Sequence, residues 1–255
     1  MLSKKTIKLV HSLNLKKNRM LHGLFVAEGT KTIYDLLQTG MPLELLLVEQ
    51  NHKDTILFSN YPCQAVSSEE IKKISNLKNT PPAIAIFKIP ASKLRMSDLE
   101  NKMSLFCDQI QDPGNLGTII RTASWFGIEN IICSSGTTDA YNPKTIQASM
   151  GAIAQVKIFY VKSKEFFSAL PAHFPVYGTV LDGNNIFRQQ FARHGLIVIG
   201  NEGHGISSLT DSYITHRISV PSFSSPGTSP ESLNASAAAA IVCAEFCRQN
   251  SLLSN

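Results

Sequence analysis

Three corners in the second half of the chain combine glycine with short polar side chains, and these residue types could bind a ligand. The most compact corner reads Gly200-Asn201-Glu202-Gly203-His204-Gly205 and directly follows an apolar run. Glycines at the carboxyl end of a parallel strand let the backbone approach a ligand closely. The spacing GxxGxG matches neither the dinucleotide fingerprint GxGxxG nor the phosphate-binding loop GxxxxGK[ST]. Taken alone, such a corner more often forms only a turn.

A second corner carries Asp112-Pro113-Gly114-Asn115, between an apolar run that ends at Asp108 and a helix that begins near Leu116. The free amides at the start of such a helix can hold an anion or a polar ligand. Arg121 follows six residues after Asn115 among apolar neighbours, and a buried cation needs a partner or a cleft. Composition alone favours the alternative, which is a surface arginine on an amphipathic helix.

The third corner follows Pro221, where a loop of Ser, Pro and Gly leads into Ser232-Leu233-Asn234. An alanine-rich helix is predicted over residues 231–248. Its run of alanines at 237–240 gives high helix propensity. The small side chains would also let two backbones pass close together.

These corners need strands to position them, and the hydrophobic pattern predicts strands throughout the chain. In the second half the strands are 104–108, 130–133, 155–159, 176–180, 196–200 and 217–220. Helical patterns lie between most of them, which indicates a mainly parallel sheet covered on both faces. In the first half, strands are predicted at 24–28, 43–48, 63–66 and 82–87, and helices at 29–39 and 68–76, with Ser68 as the candidate N-cap.

Residues 89–103 lose apolar density and are typical of a linker, so we expect two α/β domains, residues 1–95 and 96–255. Residues 1–95 hold 14 Lys and Arg against 7 Asp and Glu, whereas residues 96–255 hold 10 against 12. The densest positive charge precedes Glu28 and consists of Lys4, Lys5, Lys8, Lys16, Lys17 and Arg19. Such a cluster can displace counterions from a nucleic acid and bind it regardless of sequence. The alternative is a solvated helix with ordinary surface lysines.

Composition excludes several classes of protein. With 43% hydrophobic residues in 255, the chain has enough apolar surface to offset the entropy of ordering, so it is not a disordered chain. No run approaches the ~18 apolar residues of a membrane-spanning helix, and the basic N-terminus lacks the features of a secretion signal. The five cysteines include no CxxC pair, and Cys243 and Cys247 are interpreted as buried thiols and not as metal ligands. A reducing, cytoplasmic location fits these features best.

Taken in order, the three corners resemble the three-motif signature of the SpoU (TrmH-type) RNA ribose 2′-O-methyltransferases, in the SPOUT superfamily. The matching residues are Asn115, Arg121, Thr122, Ala123, Gly200, Asn201, Glu202, Gly203, Gly205, Pro221, Glu231, Ser232, Leu233, Asn234 and Ser236. The resemblance covers residues 105–246. The first ~95 residues are more loosely similar to the RNA-substrate-binding domain of the same group, which has a ribosomal-protein fold.

This resemblance implies S-adenosylmethionine as methyl donor, an obligate homodimer, and a SPOUT catalytic domain whose C-terminal segment forms a deep trefoil knot. The spacing of the Cys and His residues predicts no metal site. By motif position, backbone groups would hold the donor at Thr179, Gly200, Asn201, Gly203, Val220, Leu233 and Asn234. Arg121 matches an arginine essential for catalysis, and the polar positions around it match Asn115, Glu202, Ser232 and Asn234. The loop between Pro221 and Ser232 is longer than is usual in the family.

The implied chemistry is an in-line displacement in which a ribose 2′-oxygen attacks a sulfonium methyl group. A hydroxyl is a weak nucleophile, so some group must take or delocalise its proton. Because the pKa of arginine lies above ~12, we favour Arg121 as a clamp on the adjacent phosphate and on the developing oxyanion charge. The alternative, that Arg121 is itself the base, stays open. His204 is a less favoured base, since its neighbours and not its imidazole carry the motif.

We therefore expect an RNA 2′-O-methyltransferase, with ribosomal RNA as the substrate because a separate basic domain is present. Four alternatives stay open: a transfer-RNA substrate, a catalytically silent RNA-binding relative, a role in antibiotic resistance, and a general nucleotide-binding enzyme. Trp125 and Phe126 are expected to be core or dimer contacts, with base stacking less favoured. His11 and His22 lack metal-ligand spacing and are expected at the surface or facing RNA.

Overall fold

The computed structural model describes residues 1–50, 52–224 and 231–251, without the side chains of residues 53–55 and 251. The chain forms two compact units. Unit 1 consists of Met1–Ala91 and Asp139–Gln155, and unit 2 consists of Ser92–Thr138 and Val156–Asn255. The first change of unit falls in the predicted linker, whereas the inclusion of Asp139–Gln155 in unit 1 is indicated by no sequence pattern.

The elements alternate along the chain much as the hydrophobic pattern predicts. The helices are α1 (Lys4–Ser12), α2 (Lys16–His22), α3 (Thr30–Gln38), α4 (Ser68–Ile74), α5 (Pro113–Trp125), α6 (Pro143–Ser149), α7 (Ser163–Ser168), α8 (Ser208–Asp211) and α9 (Ala235–Ser251). The strands are β1 (Leu24–Glu28), β2 (Leu43–Glu49), β3 (Gln64–Val66), β4 (Ala83–Lys88), β5 (Met103–Cys107), β6 (Asn130–Ser134), β7 (Lys157–Val161), β8 (Val176–Asn185), β9 (Gly195–Ile199) and β10 (His216–Ser219). Short 3-10 helices lie at Lys53–Phe58, Met96–Asp98, Ala152–Gln155 and Ile186–Arg188.

Unit 1 is built on a mixed four-stranded sheet with the order β1-β4-β2-β3. Strand β4 runs antiparallel to both β1 and β2, and only β2 and β3 are parallel. The sheet side chains Val26, Leu47 and Ile86 pack in one core with Val10 and Leu13 from the region of α1. Apolar alternation predicts the strands of this unit but does not reveal their direction.

The start of α4 corrects the sequence prediction by one residue, because its N-cap is Ser67 and not Ser68. The hydroxyl of Ser67 accepts a hydrogen bond from the backbone N–H of Glu70 at 3.3 Å, and the carboxylate of Glu70 accepts one from the N–H of Ser67 at 3.0 Å. This reciprocal capping box satisfies two amides that the helix itself leaves unpaired.

Unit 2 contains an all-parallel six-stranded sheet with the order β10-β8-β9-β5-β6-β7, which confirms the predicted parallel sheet. Its strands β5, β6 and β9 are buried along their whole length, and Phe106, Ile132 and Val198 pack with Phe166 and Phe167 of α7. The chain leaves β5 toward β6 on one side and later returns to β9 on the other. In open α/β sheets, ligands bind at the carboxyl ends of the strands beside such a reversal.

Strand β8 leaves its ladder and returns to it. Strand β10 pairs with Tyr177 and Gly178, and after a register shift with Asn184 and Asn185. Residues 179–183 are therefore free of this ladder. Gly183 lies just before the residues where β8 pairs with β10 again. Only glycine fits there, because a Cβ on Gly183 would lie 2.5 Å from the backbone carbonyl carbon of Ile218.

Helix α9 packs against α5 through buried small and apolar residues that include Ala239, Val242 and Cys243. It begins at Ala235, four residues later than the predicted start at 231. The side-chain oxygen of Asn234 accepts hydrogen bonds from the backbone N–H groups of Ser236 and Ala237, at 2.9 and 3.3 Å. Such a cap fixes the first turn of the helix and leaves the preceding residues in an extended loop.

Candidate functional site

A cavity of about 450 Å³ opens at the carboxyl ends of three neighbouring strands of unit 2. Its walls are formed by residues 179–182 from the excursion of β8, residues 199–206 after β9, Val220 after β10, and residues 231–233 with Ala235 and Ala238 at the start of α9. Small-molecule sites in proteins usually enclose roughly 300–1,000 Å³. This cavity therefore has the size expected for one organic ligand of moderate size.

The loop after β9 presents backbone to the cavity. A Cβ on Gly200 would lie 2.5 Å from the backbone of Gly205, so a larger residue would displace the loop. Asn201 and Gly205 exchange two backbone hydrogen bonds at 2.9 Å, and Gly205 adopts φ +67°, which favours glycine. The side-chain oxygen of Asn201 accepts hydrogen bonds from the N–H groups of Gly203 and His204 at 2.8 and 3.1 Å. The loop is thus closed on itself.

A chain of hydrogen bonds joins one side chain from each of the three corners. The amide nitrogen of Asn115 donates to Glu202 Oε1, and the amide nitrogen of Asn234 donates to Asn115 Oδ1 at 3.0 Å. A carboxylate only accepts hydrogen bonds, so Glu202 fixes the orientation of the Asn115 amide. Asn115 in turn fixes the orientation of Asn234, whose oxygen then caps α9.

The structure thereby brings together residues that lie 87 and 119 positions apart along the chain. Asn115 is held at the start of α5, where the carboxylate of Asp112 accepts a hydrogen bond from its N–H at 2.9 Å. Asn115 and Asn234 stand beside the cavity and are not part of its wall, whereas Glu202 is part of the wall. The meeting of the three corners at one site, which the family resemblance implies, is present in the structure.

The other residues predicted to hold a donor or to surround the reacting groups also lie at the cavity. Thr179, Gly200, Asn201, Gly203, Val220, Ser232 and Leu233 all line it. The hydroxyl of Thr179 donates to the carbonyl oxygen of Val198 at 2.7 Å, so this side chain is engaged at the sheet edge. Leu233 is 47% exposed and gives the cavity an apolar face.

Arg121 lies apart from this arrangement. It is exposed on α5, it does not line the cavity, and its guanidinium makes no hydrogen bond or ion pair to any residue that the structure describes. Trp125, one helical turn further on, is 84% exposed, which corrects the expectation that it packs in the core. Phe126, the C-cap of α5, is half-buried.

Sequence reasoning missed Asp182, an acidic residue of the wall, and gave no role to Glu231, which belongs to the third motif and also lines the cavity. Arg217 donates hydrogen bonds to Asp182 at 2.9 Å and to Asp211 at 2.6 Å. The hydrogen bond from Arg217 lowers the pKa of the Asp182 carboxyl below its usual value. With Glu202 the wall carries three carboxyl groups and, among the described residues, no Lys or Arg.

The basic cluster of unit 1 divides into two kinds of residue. Lys4, Lys5, Lys8, Lys16 and Lys17 are all exposed, as are His11 and His22. Arg19 is only 2% exposed, and its guanidinium donates to Asp139 Oδ2 at 2.8 and 2.6 Å and to the carbonyl of Leu13 at 2.7 Å. The prediction that Arg19 contacts RNA is therefore wrong, because this cation is enclosed and neutralised inside unit 1.

The described residues form neither a metal-binding cluster nor a membrane-spanning helix. In residues 1–50, 52–224 and 231–251, no group of three or more His, Cys, Asp or Glu side chains is placed to hold a metal ion. No helix in that part of the chain is both long and apolar enough to cross a membrane. Cys243 is buried in α9, and this burial raises the pKa of its thiol.

Comparison with known proteins adds an independent observation. A model of the SpoU rRNA methylase family matches residues 102–244, and a model of the MRM3-like substrate binding domain matches residues 4–85. A solved structure from Porphyromonas gingivalis, assigned to the TrmH family of RNA methyltransferases, is 33% identical with a TM-score of 0.85, covering 98% of this chain and 99% of the other. The 23S rRNA (guanosine(2553)-2′-O)-methyltransferase RlmP of Bacillus subtilis is 27% identical over 90% of this chain and 91% of its own. An rRNA methyltransferase from Sinorhizobium meliloti, solved with AdoMet bound, is 26% identical with a TM-score of 0.82 over 97% and 96% of the two chains.

Proposed function

Because the chain belongs to the SpoU rRNA methylase family, we propose that it transfers a methyl group from S-adenosylmethionine to a ribose 2′-hydroxyl of ribosomal RNA. The observation that carries the proposal is the meeting of Asn115, Glu202 and Asn234 beside a cavity walled by glycine backbone. The similarity to RlmP and to the AdoMet-bound enzyme supports the same reaction and the same class of RNA.

The residues of the cavity fit the methyl donor. When bound, S-adenosylmethionine supplies an electrophilic methyl group on a cationic sulfonium. The donor would lie against the backbone of Gly200, Asn201 and Gly203, with Thr179, Val220 and Leu233 around it. Asn234 would stand at the edge of the site, held by its hydrogen bond to Asn115. Leu233 offers an apolar surface on which part of the donor can pack. Because Gly200 has no Cβ, its backbone can lie close to that of Gly205, and this contact keeps the loop in one conformation.

Charge also favours this donor over a nucleotide held by its phosphates. Glu202 and Glu231 give the wall negative charge, which attracts a cation and repels an anion, whereas the charge of Asp182 is offset by Arg217. In the described wall no lysine or arginine is present to pair with a phosphate. Together with the absent phosphate-binding motifs, this disfavours the general nucleotide-binding enzyme.

On the acceptor side, Arg121 is proposed to bind an RNA phosphate and the developing negative charge on the attacking oxygen. Its exposure leaves the guanidinium accessible to a group from outside the chain. Asn115, Glu202, Ser232 and Asn234 would orient the ribose at the edge of the cavity. Glu202 is already bonded to Asn115, so its first role in this scheme is to hold the amides in one orientation.

The proposal includes four further features. The exposed lysines Lys4, Lys5, Lys8, Lys16 and Lys17 would give unit 1 its affinity for RNA. A homodimer is supported by Trp125, whose large apolar surface stands uncovered beside Arg121. The family also supports a C-terminal knot, which the slim alanine-rich start of α9 would suit, and a cytoplasmic location near ribosomal RNA.

The experiment that tests the function combines transfer and mapping. Protein and labelled S-adenosylmethionine are incubated with ribosomal RNA and, in parallel, with transfer RNA, and 2′-O-methyl positions are mapped in total RNA with and without the protein. The proposal predicts one methylated ribose in ribosomal RNA. Label in transfer RNA only would change the substrate, and no transfer with retained RNA binding would favour the silent relative.

A further inference from the structure

We propose that Asp108 and Gln109 clamp the two ends of the loop 200–207, and so position the backbone that holds the methyl donor. These two consecutive residues follow β5 at the centre of the sheet. The inference rests on the proposed placement of the donor in the cavity. It assigns a positioning role to residues that do not themselves line the cavity wall.

Asp108 holds the far end of the loop. Its side chain is buried, with 1% exposed, and its Oδ2 accepts hydrogen bonds from Ser207 N–H at 2.8 Å and from Ser207 Oγ at 2.7 Å. The backbone N–H of Asp108 donates to the carbonyl of Ile199 at 2.8 Å, where the loop leaves β9. Bonds between a carboxylate and a backbone N–H are among the stronger hydrogen bonds in proteins.

Gln109 holds the near end. Its carbonyl oxygen accepts a hydrogen bond from Asn201 Nδ2 at 2.8 Å. Gln109 adopts φ +55°, which is unusual for a residue other than glycine and turns the peptide out of the strand direction. Its N–H donates to Ser134 Oγ at 2.8 Å, so the turned backbone is braced by the neighbouring strand β6.

The arrangement costs stability. Asp108 Oδ1 is buried and has no hydrogen-bond partner among the residues that the structure describes, and an unpaired buried acceptor destabilises the folded state. Left-handed backbone at Gln109 adds strain. Groups that burden the folded state in this way are typical of functional sites, where they fix a geometry that packing alone would not fix.

The consequence concerns donor binding. The cavity wall is made of loop backbone, so the donor can bind only while residues 200–206 keep one conformation. A loop held at both ends spends most of its time in that conformation, and releasing one end reduces the competent fraction and raises the apparent Kd in proportion. Breaking the clamp should therefore weaken donor binding much more than it weakens RNA binding.

The test measures the Kd of S-adenosylmethionine and S-adenosylhomocysteine by calorimetry, together with Tm and RNA affinity, on full-length variants. Asp108→Ala should raise the donor Kd by about 10-fold or more. Ser207→Ala keeps the hydrogen bond from the backbone N–H to Asp108 and should raise the donor Kd less. Ser207→Thr keeps the hydroxyl as well and should bind the donor with wild-type affinity. RNA affinity should change less than about 2-fold in all of them, since the lysines of unit 1 are untouched.

The matched control is Asn130→Ala at the opposite end of the sheet. Asn130 is also buried, with 1% exposed, and its Nδ2 donates to the carbonyl of Asp98 at 2.8 Å, so its removal also lowers Tm. The clamp is overturned if Asn130→Ala weakens donor binding as much as Asp108→Ala at equal loss of Tm, or if Asp108→Ala leaves the Kd unchanged. If Gly200→Ala also leaves the Kd unchanged, the donor site itself is misplaced.

Discussion

Two residues of helix α5 differ sharply in how they are held. Asn115, at the start of the helix, is half-buried and bonded through both ends of its amide to Glu202 and Asn234. Arg121, less than two turns later, is exposed and has no partner among the residues described. The proposed donor side is thus held in one orientation by contacts within the chain, whereas the proposed acceptor side presents a cation without a partner among the described residues. Because Arg121 does not line the cavity, its contribution should appear in transfer and not in donor affinity.

The largest effect is expected from the donor side. Gly200→Ala places a Cβ 2.5 Å from the backbone of Gly205, and the loop must move. Calorimetry should show donor binding weakened by about 100-fold or more, the loss expected when a preorganised site is dismantled. Gly127→Ala is the matched control, because a Cβ there meets nothing within 4 Å, although φ +68° makes it strained as well. Equal weakening in both variants would point to general destabilisation.

At Arg121 we expect a large effect on methyl transfer and little effect on donor binding. Arg121→Ala should reduce methyl transfer by about 100-fold or more, because a cation aimed at developing charge acts mainly in the transition state. The donor Kd should stay within a few-fold of the wild type, since Arg121 does not line the cavity. Arg121→Lys should recover only part of the rate, because it lacks the planar fork that binds phosphate. If Arg121→Ala weakened donor binding as much as it slowed transfer, Arg121 would not act on the RNA side alone.

The hydrogen bonds that join Asn234, Asn115 and Glu202 can be disrupted by a substitution that hardly changes the shape of the side chain. Asn115→Asp sets two carboxylates against each other at Glu202, so transfer should fall at pH 8. Repulsion raises the pKa of one of the pair, and its protonated form can again donate a hydrogen bond. Activity relative to the wild type should therefore rise as pH falls toward 5, whereas a pH-independent ratio would show that the amide orientation is unimportant.

Unit 1 offers the same contrast between enclosed and exposed cations, with smaller effects on activity. Changing Lys4, Lys5 and Lys8 to Gln should weaken RNA binding and flatten its salt dependence by up to about 0.9 in slope per lost phosphate contact, with Tm unchanged. Arg19→Gln should instead lower the stability of unit 1 by about 3–5 kcal/mol, because it leaves Asp139 without its partner. An unchanged salt slope in the lysine variant would place the RNA contacts elsewhere.

The sequence carries enough information for the strands and for the meeting of the three corners. Parallel strands bring their carboxyl ends to one edge, so the polar residues after β9 and before α5 and α9 had to face a common region. The start of α9 was harder to predict, because Glu231 and Leu233 also favour helix and only the cap by Asn234 fixes the first turn at Ala235.

Other features depend on partners that are distant in sequence. Nothing local separates Arg19 from the lysines around it, since its burial depends on Asp139, which lies 120 residues later. Asp108 looks like the end of an apolar strand until its bonds to Ser207 are seen. Asp182 enters the cavity wall only because β8 leaves its ladder, and hydrophobic alternation does not encode that excursion.

A crystal structure of the protein with S-adenosylhomocysteine tests directly whether the donor binds in this cavity. We expect ligand density against the backbone of Gly200 and the side chain of Leu233, with the hydrogen bonds from Asn234 through Asn115 to Glu202 unchanged. Ligand bound outside these walls, or a cavity that stays empty at saturating ligand, would contradict it.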